Sequence, residues 1–589
     1  MTVKVNIAPP VGWRDHLLGL ALCVGYVALL MATASDLGMN RDESFYVTAA
    51  QDYGRWFELY AEDPEQAMQP DVRDRAWDYN HEHPGLAKSA FALSWLVHQK
   101  HQIFESDSMA FRFPGILSAG LLLWLIYIFG ARVFSRQAGA FAAAAFALMP
   151  RVFYHSHLDC FDIPITLACT WVIYCYWRSL TSRLWAVWTG IAFGLALATK
   201  HNSWVLPGIF LIHFVWMKLA LRHERKLREA ARNDAIAGGR KPVELDKESQ
   251  YLLSRLSAGP WWLLAMCWIG PVIFVATWPW LWADDALARF GWYARFHVSH
   301  VYYDIAYFGY TYFQPPFPIS YPFVMTLFTV PLATLALAAL GLRERFRAML
   351  PQRLVDRLWT HTPTNARPDP MRTDVLLVGC LLAPILMIAL PSSPIFGATK
   401  HWITAYPFLA LYAGLGFRLV SVLFRHGLGR RLPKARYTAV ALACAVAIAP
   451  SAIETHHSHP FGLSHYTYAA GGVPGSADHG MNRQFWGFTT GSLTEFFTEQ
   501  MPSGGTVFIC DTTTGAWDML RRDGLIPANI RGTLDMAHAD FIMVHHEHHF
   551  AEVDYQAWVR YGTPQPVHVL TYDGVPIVTV YENPQRRRP

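Results

Sequence analysis

The sequence predicts a mainly α-helical, polytopic membrane bundle followed by a smaller α/β domain, and three observations carry that prediction. Apolar residues make up 53% of the chain and charged residues 16%, against about 45–50% and about 25% in soluble domains. Repeated apolar runs are long enough to cross about 30 Å of hydrocarbon. After Glu454 the runs stop and the composition becomes that of a soluble domain. At 589 residues the chain also exceeds a single hydrophobic core, since cores stop growing at about 250–300 residues. Trp, Tyr and Phe are abundant, as expected where amphipathic rings gather at bilayer interfaces.

The first run, Leu17 to Leu37, ends near Ala32-Thr33-Ala34. This resembles a signal-peptide cleavage site, but its length and the many later runs favour a retained helix. Further runs lie at Phe111 to Gly130, Gln137 to Tyr154, Phe161 to Trp177, Leu184 to Thr199, Ser203 to Leu219, Trp261 to Leu281, Tyr321 to Leu342, Asp374 to Leu390, Trp402 to Val420 and Ala439 to Ala452. That makes about eleven spans. The third is Ala-rich and interrupted by Pro150.

Lys and Arg set the orientation, because cytoplasmic loops carry the positive excess. Arg132 and Arg136, Arg178 and Arg183, the stretch from Lys218 to Arg255, Arg343 to Arg372, and Arg425 to Arg436 all fall on one side. The N-terminus is expected in the cytoplasm. The loop 36–110, the segments around His155 and Lys200, the loop Ala283 to Ser320 and the domain 454–589 are expected in the periplasm of a bacterial inner membrane or in an organelle lumen. Residues 1–453 then form the membrane unit, with a basic cytoplasmic linker at 221–257 whose charges read as a topological anchor, not a nucleic-acid site.

Loop 36–110 is long for a connector and has helical periodicity at Phe45, Tyr46, Ala49 and Tyr53, and again at Leu86, Ala90, Leu93 and Leu96. Short amphipathic helices on the membrane surface account for both sets. In the C-terminal domain, Thr506 to Cys510 and Phe541 to Val544 read as buried strands. Val567 to Tyr572 and Val575 to Tyr581 read as a hairpin turning at Asp573-Gly574, with helices at Gly515 to Arg521 and Asp554 to Arg560.

Ionisable residues at span ends mark functional sites, because a charge near hydrocarbon is costly unless solvated or paired. Asp42 (in Asn40-Arg41-Asp42-Glu43-Ser44), Glu82 (in His81-Glu82-His83-Pro84-Gly85-Leu86), Asp159, Asp162, Lys200 and Lys400 gather on the same predicted face. An extracytoplasmic transferase has no nucleotide sugar to draw on, and a polyprenyl-phosphate sugar supplies an activated donor in its place. The leaving phosphate is stabilised by Lys or Arg, and one carboxylate takes the proton of an acceptor hydroxyl.

These residues resemble the GT-C superfamily of membrane glycosyltransferases, in the branch of protein O-mannosyltransferases and the lipid A aminoarabinose transferase. In that branch an Asp-Glu pair opens the first extracytoplasmic loop, as Asp42-Glu43 does, and a Glu-Lys-Pro-Pro-Leu element closes it, similar to Glu82 to Leu86. Asp159 or Asp162 answers to an Asp that begins the fourth span, and Thr199-Lys200 to a Thr-Lys ending the fifth. Lys400-His401 through Tyr406-Pro407 resembles a Lys-to-Tyr-Pro element of a late span. The resemblance implies an inverting transferase in which Asp42 is the general base and Glu82 supports it. Glu43, His83, Asp159, Asp162, Lys200, Lys400 and His401 would contact substrate, with the two lysines facing the donor phosphate. His83 and Gly85 depart from the pattern, standing where the branch has Lys and Pro. His459-Pro460-Phe461-Gly462-Leu463-Ser464-His465-Tyr466 resembles a stretch that follows the last span in some bacterial members.

The aromatic loop from Trp292 to Phe313 carries Arg289 and Arg295 near its start, as further phosphate contacts beside rings that anchor at the interface or stack on sugar. Histidine clusters at His155-Ser156-His157, His297 with His300, His456 to His459 and His545 to His549 invite a metal, but spacing alone does not establish convergence. No metal or cofactor is assigned, although His155, His157 and Asp159 leave room for a divalent ion on the donor phosphate. Expected partners are a polyprenyl-phosphate-linked sugar, a protein, lipid or glycan acceptor, and membrane lipid, with no nucleic acid. A transporter or flippase, and a non-catalytic glycan-binding scaffold, are the competing readings; broken helices in two related halves would favour transport.

Overall fold

The computed structural model describes residues 11–239, 241, 250, 253–256, 259–349, 369–395, 397–431 and 436–587. Parts of the basic linker 221–257 and most of the basic stretch 343–372 lie outside them. A helix or helix pair fills each of the expected apolar runs. Among the described residues, four helices are long and apolar enough to cross a membrane, a sharply bent pair adds a broken span or a re-entrant loop, and Arg183–Thr199, Trp261–Ala276 and Thr373–Ile388 are shorter apolar helices. The long list of expected spans thus resolves into full-length helices, short ones and broken ones. The third run breaks between Arg136–Ala147 and Pro150–His155, where Pro150 takes the first helical position because its missing N–H is an orphan there anyway. The pair Tyr321–Thr329 and Leu332–Met349 is bent by 117°, with Pro331 at the break.

Small residues set the helix packing. A Cβ on Gly341 would overlap the Tyr412 carbonyl, one on Gly416 that of Leu337, and one on Gly414 that of Ala138. The helices Leu332–Met349, Tyr406–Arg431 and Arg136–Ala147 therefore touch backbone to backbone, the close approach that stabilises helices where no hydrophobic effect separates them from lipid. Arg136 pairs with Asp15 (2.6 Å) at the start of the first helix, Trp13–Thr33. Asp42 follows the other end of that helix, about 30 Å away at 1.5 Å per residue.

The loop 36–110 is helical, with Arg41–Glu62 packed on Leu86–His101 and the short helices Pro64–Ala67 and Pro70–Trp77 between them. Tyr53 stacks on Trp77 at 3.8 Å between ring centroids. The aromatic loop folds a small hairpin, Ile305–Tyr307 with Tyr310–Tyr312, whose turn residues Phe308 and Gly309 both have positive φ, as such two-residue turns require.

The C-terminal α/β region has a five-stranded sheet in the spatial order Ile530–Thr533, Gly505–Ile509, Phe541–His545, Val575–Glu582, His568–Tyr572. The first three strands are parallel and the last two antiparallel. The hairpin turns at Asp573-Gly574, both at positive φ, and the helices are Thr514–Arg522 and Ala551–Tyr561. The edge strand Ile530–Thr533 was not read from sequence, since four residues including Arg531 and Gly532 carry little alternation.

The glycine contacts give a first test. Gly416→Val should cost about 1–3 kcal/mol by forcing backbones apart, read as a lower melting temperature of the purified protein in detergent. An unchanged melting temperature would contradict the packing described.

Candidate active site

The helix Arg41–Glu62 begins in a reciprocal cap. The Asn40 side chain accepts the Glu43 N–H (3.0 Å), and the Asn40 N–H donates to Glu43 Oε2 (3.0 Å), satisfying two donors that a helix start leaves open. Glu43 is fully buried and takes a two-pronged bond from Arg112, 2.8 Å from Nε and 3.0 Å from Nη2. Arg112 also donates to the carbonyls of Ala34, Leu37 and Gly38, so it holds the exit of the first span. Asp42, one residue earlier and about 100° around the helix, faces elsewhere.

That other direction is a cavity of about 920 Å³. Asp42, Glu82, His83, Lys200, Lys400 and His401 all line it. Lys400 Nζ donates to Asp42 Oδ2 at 2.8 Å, and Lys200 Nζ donates to Asp162 Oδ1 at 3.0 Å. Glu82 accepts from Asn80 Nδ2 (2.7 Å), and its carbonyl accepts from His297 Nε2 (2.8 Å). Towards the bundle the wall turns apolar, with Ile173, Ile209, Met387, Ile388 and Phe408. One space therefore joins charged loop residues to hydrocarbon-like surface between helices.

Burial raises the Asp42 carboxyl, but Lys400 and Arg41 outweigh it and hold the group below the usual carboxylate range. Near Lys200 two loop imidazoles are held neutral. Burial and then the Lys200 charge push His83 well below its ordinary value, and burial takes His297 to about 4. His83 thus brings no charge to the corner where the family pattern has a Lys. Lys88, buried nearby, donates instead to the carbonyls of Asn80 (2.6 Å) and His83 (3.0 Å) and so shapes that loop.

Some expected site residues lie outside the cavity wall. Glu43 is committed to Arg112. Asp159 lies against Glu43; burial and the Glu43 charge push its carboxyl well up, so it is the protonated partner of that pair. Asp162 sits behind Lys200, with His155 Nδ1 at 3.4 Å. Arg289 is held by Asp74 (2.5 Å), Asp285 (2.7 Å) and the Trp280 carbonyl (2.9 Å), and Arg295 turns back to the Gly291 carbonyl (3.3 Å). The geometry does not gather His155, His157 and Asp159 around an ion, because His157 lies against Thr33 Oγ1 and the Phe153 carbonyl, each at 2.8 Å. Among the described residues no group of three or more His, Cys, Asp or Glu is arranged to hold a metal.

Sequence reasoning missed the contribution of the C-terminal region. Asp511, Thr512, Glu547 and His549 line the same cavity as Asp42. Arg41 Nη1 donates to Asp511 Oδ1 at 2.5 Å, Ser44 Oγ meets Thr513 Oγ1 at 2.6 Å, and His549 Nδ1 pairs with Asp304 Oδ2 at 2.7 Å. Burial raises Asp511 despite Arg41, and burial with the Asp511 charge raises Glu547 well above its usual range. A signal existed in the His545-to-His549 cluster, but its partner Asp304 lies far away in sequence.

The Glu43 pair yields a contrast. Arg112→Leu, which strands a buried carboxylate, should cost about 3–5 kcal/mol, whereas Asp159→Asn keeps a donor to Glu43 and should leave the melting temperature nearly unchanged. Equal losses in the two variants would contradict the assigned charges.

Residues 84–230 match the family model described as dolichyl-phosphate-mannose-protein mannosyltransferase. No curated protein is significantly similar in sequence. Among solved structures, ArnT from Cupriavidus metallidurans in the apo state is 13% identical with a TM-score of 0.46, covering 95% of this chain and 97% of that one. The oligosaccharyltransferase AglB from Archaeoglobus fulgidus, in complex with an inhibitory peptide and a dolichol-phosphate, is 13% identical with a TM-score of 0.44, covering 98% of this chain and 75% of that one. The arabinofuranosyltransferase AftD from Mycobacteria is 13% identical with a TM-score of 0.39, covering 98% and 40%. The resemblance read from the sequence is to the GT-C glycosyltransferases, and over residues 84–230 the chain matches the mannosyltransferase family of that superfamily.

Proposed function

We propose that this protein is an inverting glycosyltransferase that moves a sugar from a polyprenyl phosphate to an acceptor hydroxyl on the extracytoplasmic face of the membrane. The observation that carries the reading is the cavity in which Asp42, Lys400 and Lys200 share one space with the apolar wall of Ile173, Ile209, Met387 and Phe408. A lipid-linked sugar phosphate has matching halves: a chain for the apolar wall, and an anionic group with a sugar for the polar end.

The chemistry follows from the pairings. The acceptor oxygen attacks the anomeric carbon from the face opposite the phosphate, and the new C–O bond forms as the bond to the phosphate oxygen breaks. Polyprenyl phosphate leaves with the electron pair, and the acceptor proton passes to Asp42. Lys400 and Lys200 stabilise the charge that grows on the phosphate. Before donor binds, Lys400 holds Asp42 as a weak base. An arriving phosphate competes for Lys400, so the carboxylate gains basicity when a donor is in place. Glu82, joined to Asn80 and through its carbonyl to His297, supports the wall beside them. Arg41 and Asp511 bring the C-terminal region to the acceptor side. The match of residues 84–230 to a mannosyltransferase family supports the reaction class. Transport in two related halves would call for matched breaks, and among the described residues one pair of helices that together is apolar enough to span is sharply bent.

The test is transfer of label from radiolabelled polyprenyl-phosphate sugar to membrane acceptors by the purified protein. Asp42→Asn should lower the rate about 10²–10⁴-fold; transfer that survives unchanged would remove the mechanism. The pH dependence separates the role of Lys400. Before donor binds, a carboxyl held below its usual value stays ionised as pH falls, so the wild-type kcat/KM, which reports the free enzyme, should stay flat down to about pH 4.5, above the ordinary Asp value of about 3.9. In Lys400→Met the larger of the two charges that offset burial is gone, and an acid limb should enter that range. An unmoved limb would show that Lys400 does not set the charge of Asp42.

A further inference from the structure

Trp486 stands in the left-handed backbone region, with φ of 58°, a conformation that a bulky side chain holds only when its surroundings over-determine it. Those surroundings are Arg41, the chain neighbour of Asp42, and Lys400, the ion-pair partner of Asp42. The Trp486 carbonyl accepts the Arg41 N–H at 3.0 Å, which satisfies an open donor in the first turn of the Asp42 helix. Its ring centroid lies 4.0 Å from Lys400 Nζ, within cation–π range. The ring rests on Gly397, which is also at positive φ. A Cβ there would overlap the indole and come within 2.7 Å of Lys400 Cε. Behind it, Arg151 lies over both Tyr466 and Phe485, 5.1 and 5.3 Å from their centroids, which fixes the residue that precedes Trp486. Trp486 lines the cavity, yet only 5% of it is exposed.

We infer that Trp486 is a positioning residue: its backbone fixes the start of the Asp42 helix while its ring face fixes Lys400, so one residue sets where base and cation meet. That the cation so placed meets the donor phosphate rests on the function proposed above. A ring face suits this task because it attracts an ammonium without neutralising it, leaving Lys400 its charge for a phosphate. A second carboxylate at this position would compete with that phosphate.

The test reads Lys400 directly. Full-length protein in lipid nanodiscs is treated with acetic anhydride, and acetylation of Lys400 and of Lys88 is followed by mass spectrometry in the wild type, Trp486→Phe, Trp486→Leu and Gly397→Ala. Losing the ring face should speed Lys400 acetylation about tenfold in Trp486→Leu, while Trp486→Phe stays within about threefold of the wild type. Gly397→Ala, which displaces the indole without removing it, should behave like Trp486→Leu. Lys88, buried elsewhere, should stay protected throughout. Lys400 reacting equally in the wild type and Trp486→Leu, or equally fast in the Phe and Leu variants, would overturn the inference. So would Lys88 rising in step with Lys400, which would mark general loosening. Acetylation needs no transfer reaction, so a wild type that transfers no label would remove the proposed function and leave the placement of Lys400 by Trp486 standing.

Discussion

Glu43 and Arg112 bury opposite charges against each other at the exit of the first span, and the geometry of the site descends from that pair. A carboxylate with no exposure to water must keep its guanidinium partner, because stripping either one leaves an uncompensated buried charge. Arg112 in turn collects the carbonyls of Ala34, Leu37 and Gly38, which fixes where the chain leaves the first helix. The next helix can then start in one place, capped by Asn40. Since Glu43 must point into the protein, Asp42 must point into the cavity. Neighbouring acidic residues thus acquire separate settings from helix geometry alone: one is anchored to Arg112 and the other faces the cavity.

The same logic explains what could be read from the sequence. Apolar runs announced the helices because lipid or a helix neighbour imposes a simple requirement on each side chain. Their division into full-length, short and bent elements was not legible, since it depends on contacts such as Gly341 against Tyr412. The Asp573-Gly574 hairpin could be read, because a two-residue turn demands those residue types. At the site, Asp42, Glu82, Lys200 and Lys400 could be picked out as charges at span ends. Nothing local, however, distinguishes Asp42 from Glu43, or Lys200, which lines the cavity, from Asp162 behind it. Nor does anything local announce that Arg289 is paired with Asp74, 215 positions away, as well as with Asp285.

The C-terminal region contributes what sequence order concealed most. Thr513 meets Ser44, Asp511 meets Arg41 and Trp486 meets both Arg41 and Lys400, all on or beside the first turn of the Asp42 helix. The first two of these contacts bring residues more than 400 positions apart along the chain to within hydrogen-bonding distance. The soluble-looking domain is therefore part of the cavity wall, and its sheet serves to carry strand ends and loops to that wall.

The proposed reaction requires a single cavity to hold the polyprenyl chain at its apolar end and the phosphate at its lysines. Photo-crosslinking with a diazirine-bearing undecaprenyl phosphate, followed by peptide mapping, tests this most directly. Label should fall on the helices Asp162–Ser179, Leu206–Ala237 and Thr373–Ile388 at the cavity-lining positions Ile173, Ile209 and Met387, and unlabelled undecaprenyl phosphate should compete for it. Label confined to outward-facing positions such as Leu18, Trp268 or Leu423, and insensitive to competitor, would contradict it.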